Sequence, residues 1–393
     1  MRIARWAAGI AAAVVLSTGG AGAEPVKVGL LLPYSSVYAS LGEDITEGLA
    51  LAIETFGAET GQEIELVRED TEVKPSVALA KARKLIYQDK VDMLVGPVAS
   101  NVAGALRDFV DGVGMPMIIP NAGNDDLTGP KCSRWVLRTS FSNSQINRGM
   151  GPWLKAKGYE TAYLMAADYA AGRQMMDAFR TAFEGAGGTI VGEDYPPLAE
   201  TKDFAPYLAK ARAAEPDLLY VFFAGGPAVQ FVKQYDAFGL REDLQLAGAG
   251  WLTSPLQLPA EGEAAAGFIG ALNYVPSIDT PVNAAFQDAF RARTGRIGSE
   301  YAVQGYDTGR LIVEALKATG GSAADKAALV DAMRAVHFEG PRGRLEIDPS
   351  TNNIVQDIFI FETRLVDGAV RQVVVDTLPA VRDPANGCVM DGR

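Results

Sequence analysis

Histidine is nearly absent from this sequence, since His337 is the one histidine among 393 residues. Serine and cysteine hydrolases commonly need a histidine base, and no GxSxG elbow is present to accompany His337. The sequence lacks a GxxxxGKS/T phosphate loop, and the AGAG at 247–250 lacks the third glycine and the acid of a dinucleotide fingerprint. These absences argue against an enzyme and against any cofactor. We interpret His337 as a packed or surface residue.

Long apolar runs are also scarce. The first one covers about residues 6–16, which is short of the roughly 18 residues that a spanning helix needs. Arg2 and Arg5 precede it, and an A-x-A site at 21–23 follows it. This pattern is typical of a secretory signal peptide, so we predict cleavage after Ala23 and a periplasmic mature protein. A membrane anchor is the alternative. A lipoprotein is not expected, because there is no cysteine at the cleavage junction to carry a lipid.

Basic residues are outnumbered, because 36 Lys and Arg face 48 Asp and Glu for a net charge of −12. Removal of residues 1–23 takes away two arginines and no acid, which gives 34 − 48 = −14. Such an acidic surface opposes binding to nucleic acid or to anionic lipid. The remaining 393 − 23 = 370 residues exceed what one core usually serves, so we expect two domains.

Cysteine is limited to Cys132 and Cys388. Export and an even count favour a disulfide, which we predict to tie Cys388 in the tail to Cys132; two free thiols are the alternative. Two cysteines and one histidine are too few for a usual zinc site. We interpret the acidic pair at 125–126 as a turn or helix start, so no metal is predicted.

Short apolar runs alternate with longer amphipathic ones from residue 26 onward. VKVGLLL at 26–32 predicts a buried strand, and the helical pattern from about 41 to 57 follows it. The alternation repeats to about residue 120 and again from 144 to 250, which predicts two α/β units with parallel sheets. The part after residue 267 forms no third unit, and we interpret it as the chain returning to complete both. A linear string of two or three domains is the alternative.

Six segments carry a resemblance to a known family. They are VKVGLLLPYSSVYASLGEDITEGLALAIE, DTEVKPSVALAKARKLI, VDMLVGPVASN, MPMIIPNAGNDDLTG, LRTSFSNSQ and DYAAG at 168–172. In this order they resemble the periplasmic binding proteins of the branched-chain amino acid transport class. The resemblance extends from about residue 26 to 378.

The resemblance implies a two-lobed clamshell of the type I periplasmic binding protein class, with helices on both faces of each parallel-rich sheet. The chain is then expected to cross between lobes three times, near 140–143, 268–273 and 347–352. Lobe 1 would contain residues 24–142 and 272–349. Lobe 2 would contain residues 143–271 and 350–378, with a tail at 379–393 returning to lobe 1.

The resemblance also implies that lobe 1 holds the carboxylate of a ligand in two loops that follow strands. Ser100 lies in the first loop, and Asn121, Ala122 and Gly123 lie in the second. Backbone N–H groups at a helix start and a serine hydroxyl bind an anion without a lysine or arginine. A plain helix N-cap is the alternative role for Ser100.

This sequence departs from the amino-acid-binding members of the family at two positions. Gly123 stands where those members carry a threonine, and AGAGWLT at 247–253 has no acid where they place a glutamate for the ligand's ammonium. A buried ammonium without a partner costs several kcal/mol. These departures argue against an α-amino acid ligand.

Aromatic side chains are instead expected to surround the cleft. These are Tyr38, Phe141, Tyr169, Trp251, Tyr274 and Tyr301. Leu41 and Gly225 complete the set of ligand-binding residues. Core packing is the alternative for each ring, but the set favours a flat carboxylate.

The opening PYSSVYASLGEDITEG and the late HFEGPRGRLEID resemble a subgroup that binds aromatic acids such as benzoate and hydroxycinnamate derivatives. We therefore expect a monomeric substrate-binding component of an ABC uptake transporter, which delivers a small carboxylate to permease subunits in the inner membrane. Branched-chain amino acids, amides and small aliphatic acids are alternative ligands. A ligand-sensing module of a signalling system is the alternative function.

Overall fold

The computed structural model describes residues 24–384 and 386–390. The predicted signal peptide and its cleavage site lie outside these residues. Within the described ranges, no helix combines the length and the apolar character needed to cross a membrane.

Among the described residues, the first sheet contains four buried strands and one, Ile64–Asp70, that is mostly half-buried or exposed. They are β1 (Val26–Leu32), β2 (Ile64–Asp70), β3 (Met93–Val95), β4 (Met117–Ile119) and β5 (Val136–Arg138). All neighbours pair in parallel, in the order β2-β1-β3-β4-β5. Continuous apolar strands such as β1 suit a parallel sheet whose two faces are both covered by helices.

The second sheet is larger and mixed. Its strands are β6 (Thr161–Ala166), β7 (Thr189–Asp194), β8 (Leu218–Phe222), β9 (Gln245–Ala249), β10 (Ile269–Leu272), β11 (His337–Gly340), β12 (Gly343–Ile347), β13 (Ile354–Val366) and β14 (Ala369–Val381). Strands β10-β9-β8-β6-β7 are parallel. Strand β13 pairs antiparallel with β10, β12 and β14, and β11 forms the far edge.

Helices cover the two sheets. They are α1 (Ala39–Phe56), α2 (Pro75–Tyr87), α3 (Ser100–Val113), α4 (Asn143–Arg148), α5 (Met150–Ala156), α6 (Ala170–Gly185), α7 (Ala205–Ala213), α8 (Gly226–Ala237), α9 (Leu258–Glu261), α10 (Pro281–Thr294), α11 (Glu300–Ala318) and α12 (Lys326–Ala335). The predicted fold class, two lobes built on parallel-rich sheets, is confirmed.

Helix α11 packs directly on α1, so the chain has returned to the side of the first sheet. The two helices approach so closely that a Cβ atom added to Gly48 would lie 1.9 Å from the carbonyl oxygen of Ala302. A Cβ atom on Gly305 would lie 2.0 Å from the carbonyl oxygen of Ile45. Glycine is therefore required on both helices, and this contact joins the C-terminal third of the chain to lobe 1.

The chain leaves the first sheet after β5 and the second sheet after β10, and it re-enters the second sheet at β11. Strand β10 stays in the second sheet as far as Leu272, which pairs with Phe359, so the connection to α10 begins at residue 273. The β11–β12 hairpin extends the second sheet yet packs on α11, where Arg310 donates to the carbonyl oxygen of Glu339 at 2.8 Å. The sequence did not predict β11, whose exposed His337 gives no apolar alternation.

A buried polar cluster joins the segments that follow β5 and β10 to strand β13. The Arg342 guanidinium donates to Asp307 at 2.7 Å, to the carbonyl oxygens of Thr139 and Ser140, and to Gln356. Asn273, at the second crossing, donates to the same Ser140 oxygen at 3.0 Å. One arginine thus contacts the segment that follows β5 and the strand β13, and it shares an acceptor with the segment that follows β10.

Cys132 and Cys388 form the predicted disulfide and are separated by 256 residues in sequence. A chain-entropy argument gives about 4.7 kcal/mol for a loop of about 100 residues and more for a longer one, whereas disulfides typically contribute roughly 2–4 kcal/mol. We therefore expect the double variant Cys132→Ser, Cys388→Ser to melt at a lower temperature than the wild type, with an unchanged ligand affinity. Calorimetry with and without reductant checks this. If reductant does not change the melting temperature of the wild type, the expected stabilisation is contradicted. If mass spectrometry finds both thiols free, the bridge is ruled out.

Candidate ligand-binding site

A small cavity lies between the two lobes. On the lobe 1 side it meets the start of α3 and the loops after β4 and β5. On the lobe 2 side it meets the ends of β6, β8 and β9. The residues that line it, all uncharged, are Tyr38, Leu41, Val98, Ser100, Asn121, Gly123, Phe141, Asn143, Tyr169, Ala171, Met175, Phe222, Ala224, Trp251 and Tyr301.

Most of the residues expected at the site are brought together around this cavity. They are Tyr38, Leu41, Ser100, Asn121, Gly123, Phe141, Tyr169, Trp251 and Tyr301. Ala122 and Gly225 lie beside the wall rather than on it. Tyr274, in contrast, packs in a separate apolar cluster with Phe286 and donates its hydroxyl to Asn283 at 2.7 Å. The expectation that Tyr274 faces the cleft is wrong, because α10 covers its ring.

Helix α3 begins at the cavity, and among the described residues no side chain caps its first turn. Its N-cap is Ala99, which has no side chain to accept from the first turn, so Ser100 is the first helical residue and not the cap. The first N–H groups of a helix have no partner within it, and they carry the positive end of the helix dipole. Ser100 is buried and lines the cavity. This helix start is therefore suited to an anion.

The loop after β4 adds further donors. Among the described residues, no hydrogen bond is found for the backbone N–H of Asn121 or of Gly123, although both are buried and line the cavity. The N–H of Ala122 is unavailable to a ligand because it donates to the carbonyl oxygen of Pro97 at 3.2 Å. The Asn121 side-chain amide donates to Gln304 Oε1 in α11 at 2.8 Å, and this bond fixes the side chain.

Gly123 has no room for a side chain. A Cβ atom at this position would lie 2.4 Å from Asn143 Oδ1 and 2.5 Å from the ring of Phe141. The Phe141 ring and the Asn143 amide thus fill the volume that a threonine would need. This explains the departure from the amino-acid-binding members, since an aromatic wall takes the place of a hydroxyl.

Aromatic rings form the walls on both lobes. The Phe141 and Trp251 ring centroids are 4.5 Å apart, and Trp251 contacts Phe222 edge to face at 5.9 Å. Tyr169 stacks on the other side of Phe222 at 6.1 Å. Trp251 lies where the sequence lacks the ammonium-binding acid, so this wall presents a π-surface to the cavity instead of a charge.

The lobes touch through hydroxyl and carboxyl groups around the cavity. The Tyr38 hydroxyl donates to the Tyr169 hydroxyl at 3.1 Å, and burial raises the pKa of Tyr38 to about 12, which keeps the phenol neutral. The Ser254 hydroxyl of lobe 2 donates to the fully buried Glu300 carboxyl of lobe 1 at 3.0 Å. These contacts show that the structure has the lobes closed.

Several lining residues were not predicted. They are Val98, Asn143, Ala171, Met175, Phe222 and Ala224. Phe222 and Ala224 stand at the carboxyl end of β8, so the rule that ligands bind at strand ends could have found them. Asn143 gave no such signal, because its place depends on how the first crossing folds.

Comparison with known proteins places these features in context. A family model described as periplasmic binding protein matches residues 25–369. The Leu/Ile/Val-binding protein homolog 6 of Brucella melitensis is 30% identical over 376 residues, which cover 94% of this chain and 95% of that protein.

Two solved structures of ABC transporter solute-binding proteins from Rhodopseudomonas palustris are also similar. One, in complex with benzoate, is 38% identical with a TM-score of 0.88, and the match covers 93% of this chain and 99% of that one. The other, in complex with 3,4-dihydroxybenzoic acid, is 33% identical with a TM-score of 0.87 over 92% of this chain and 99% of that one.

Proposed function

The chain belongs to the periplasmic binding protein family, and from that premise we propose that it captures an aromatic carboxylate in the cleft between its lobes. The observation that carries this proposal is the pairing of two features in one cavity. The start of α3 and the N–H groups of Asn121 and Gly123, which have no partner among the described residues, lie at one side, and aromatic rings form the walls. A flat ring with a single carboxylate matches both features.

The ligand-binding residues that we propose divide into two groups. Ser100, Asn121 and Gly123 would hold the carboxylate through neutral donors, whose dipoles stabilise an anion without a counter-charge. The rings of Phe141, Tyr169 and Trp251, with Tyr38, Leu41 and Tyr301, would enclose the ring of the ligand. Similar solute-binding proteins in complex with benzoate and 3,4-dihydroxybenzoic acid support this choice.

A branched-chain amino acid is the second candidate, since the Brucella relative is named for that ligand class. All the side chains that line the cavity are uncharged, so the ammonium of such a ligand would lose its hydration without gaining an anionic partner. The aromatic carboxylate is therefore the better match.

We propose that lobe 1 contains residues 24–142 and 272–349, and that lobe 2 contains residues 143–271 and 350–378. The ligand would first meet the donors on lobe 1, and lobe 2 would then close over it. The mature protein would be a monomeric, non-enzymatic carrier that leaves the cytoplasm through a cleaved signal peptide. The closed form would deliver its ligand to permease subunits in the inner membrane.

The first prediction concerns ligand choice. Benzoate should raise the melting temperature of the mature protein, because a ligand at 100 times its Kd stabilises by about 2.7 kcal/mol. Benzamide tests the need for an anion, cyclohexanecarboxylate tests the need for a flat ring, and phenylalanine adds an ammonium; each should bind more weakly than benzoate. Submicromolar leucine binding in calorimetric titration, with none for aromatic acids, would overturn the proposed ligand class.

Removal of the Ser100 hydroxyl tests the anion site. Ser100→Ala should cost about 1.5–3 kcal/mol of binding free energy, the value of a hydrogen bond to a charged group. Titration calorimetry measures the change, with the exposed Ser322→Ala as the matched control. An affinity equal to that of the control variant would mean that Ser100 does not contact the carboxylate.

The Glu300 carboxyl should make binding depend on pH. Desolvation raises its pKa to about 8 in the closed form, with a further contribution from Asp44, which itself pairs with Arg296 at 2.9 Å. Opening separates Glu300 from Ser254 and returns it to water, where a glutamate titrates near 4.3. The closed form therefore binds the proton more tightly.

Closure should accordingly weaken as the pH rises from about 5 to 8, by at most about tenfold in Kd per pH unit. Above pH 8 the affinity should level off. Glu300→Gln, which cannot ionise, should flatten the profile while it keeps an acceptor for Ser254. Calorimetric titration of benzoate between pH 5.5 and 9 checks this, and equal slopes for wild type and variant would contradict it.

A further inference from the structure

A ring of hydrogen bonds encloses Ser100, and one of its members comes from the opposite lobe. The Asn143 amide donates to Ser100 Oγ at 3.3 Å and to Gln174 Oε1 at 2.7 Å. The Gln174 amide donates to Asn124 Oδ1 at 3.1 Å, and the Asn124 amide donates to the Ser100 carbonyl oxygen at 2.9 Å. The ring therefore begins and ends at the first residue of α3.

Backbone groups fix the direction of every bond in this ring. The N–H of Asp125 donates to Gln174 Oε1 at 3.1 Å, and the N–H of Asp126 donates to Asn124 Oδ1 at 3.0 Å. A backbone N–H can only donate, so both side-chain oxygens are identified by their partners. Asn143 must then present its amino group to Gln174, since Gln174 offers it an oxygen.

The direction of the ring determines what Ser100 offers to a ligand. Because Ser100 Oγ accepts from the Asn143 amide, the hydroxyl hydrogen is left to donate elsewhere. A hydroxyl held as a donor favours a carboxylate oxygen and disfavours an ammonium. The ring thus fixes the polarity of the anion site.

Gln174 is the member that depends on lobe closure. Ser100 begins α3, Asn124 lies in the loop after β4, and Asn143 begins α4 after the last strand of the first sheet. Gln174 lies in α6, which follows β6 in the second sheet, and it is half-buried outside the cavity lining. The ring is complete only when α6 lies against the 124–126 loop.

We propose that Gln174 is a positioning residue for ligand capture, which completes the ring on closure, holds Ser100 as a donor and so retains the carboxylate. This inference rests on the proposed function, because it assumes a carboxylate beside Ser100. Since the contacts of Gln174 with lobe 1 exist in the closed form, they act on ligand release rather than on ligand encounter.

Gln174→Met tests the role, because methionine has a similar length and no amide. Loss of its hydrogen bonds should raise the dissociation rate of benzoate by about tenfold or more, while the association rate stays within about twofold. Stopped-flow fluorescence, with Trp251 in the cavity wall as the reporter, separates the two rates. The ligand-free melting temperature should stay that of the wild type. Asp177→Ala, exposed on the same helix, is the control.

A double-variant cycle shows whether Gln174 acts through Ser100. In the Ser100→Ala background, Gln174→Met should change the dissociation rate less than it does in the wild type, because the two residues belong to one network. Additive effects, an unchanged dissociation rate, or a lowered ligand-free melting temperature would each overturn the proposal. Wild-type protein that binds no carboxylate would instead overturn the proposed function, and this inference with it.

Discussion

Arg342 is the side chain on which the arrangement of the two lobes depends. Its guanidinium is fully buried, and a buried charge is tolerated only when it is paired and its donors are satisfied. Asp307 supplies the opposite charge from α11, and Thr139, Ser140 and Gln356 supply oxygens from the crossings. Removal of either charged partner would leave an uncompensated ion, which typically costs about 3–5 kcal/mol. The chain segments that connect the lobes are therefore held in one arrangement.

Neutral donors at the ligand site suit this closed architecture. A lysine or arginine between the lobes would need a permanent counter-charge in the empty form, whereas N–H groups and a hydroxyl need only water. Helix α3 begins without a side-chain cap at Ala99, so its first N–H groups stay unpaired. The N-cap position is thus occupied by a residue whose side chain cannot accept a hydrogen bond, unlike the serine, threonine, aspartate or asparagine preferred there. The cavity therefore gains an anion site without a charged residue.

Aromatic rings occupy the positions at the cavity where amino-acid-binding members of the family are expected to have polar side chains. Gly123 gives space to Phe141, and Trp251 stands where an acid would be needed for an ammonium. Each change alone would leave a gap or an unpaired group; together they produce a continuous wall. The Tyr38 and Tyr169 hydroxyls complete this wall across the lobes, and burial keeps the phenols protonated.

The amino-acid sequence by itself determined the parallel α/β units and the missing acid at 249–251, because strand and helix periodicity and residue identity are local properties. It also favoured the Cys132–Cys388 bridge, through cysteine count and export signal. Tertiary structure alone decided that Tyr274 faces α10 and that Asn143 and Gln174 meet around Ser100. These contacts join residues far apart in the chain or across the lobes, so no periodicity encodes them, and they exist only once the crossings have brought the two sheets together.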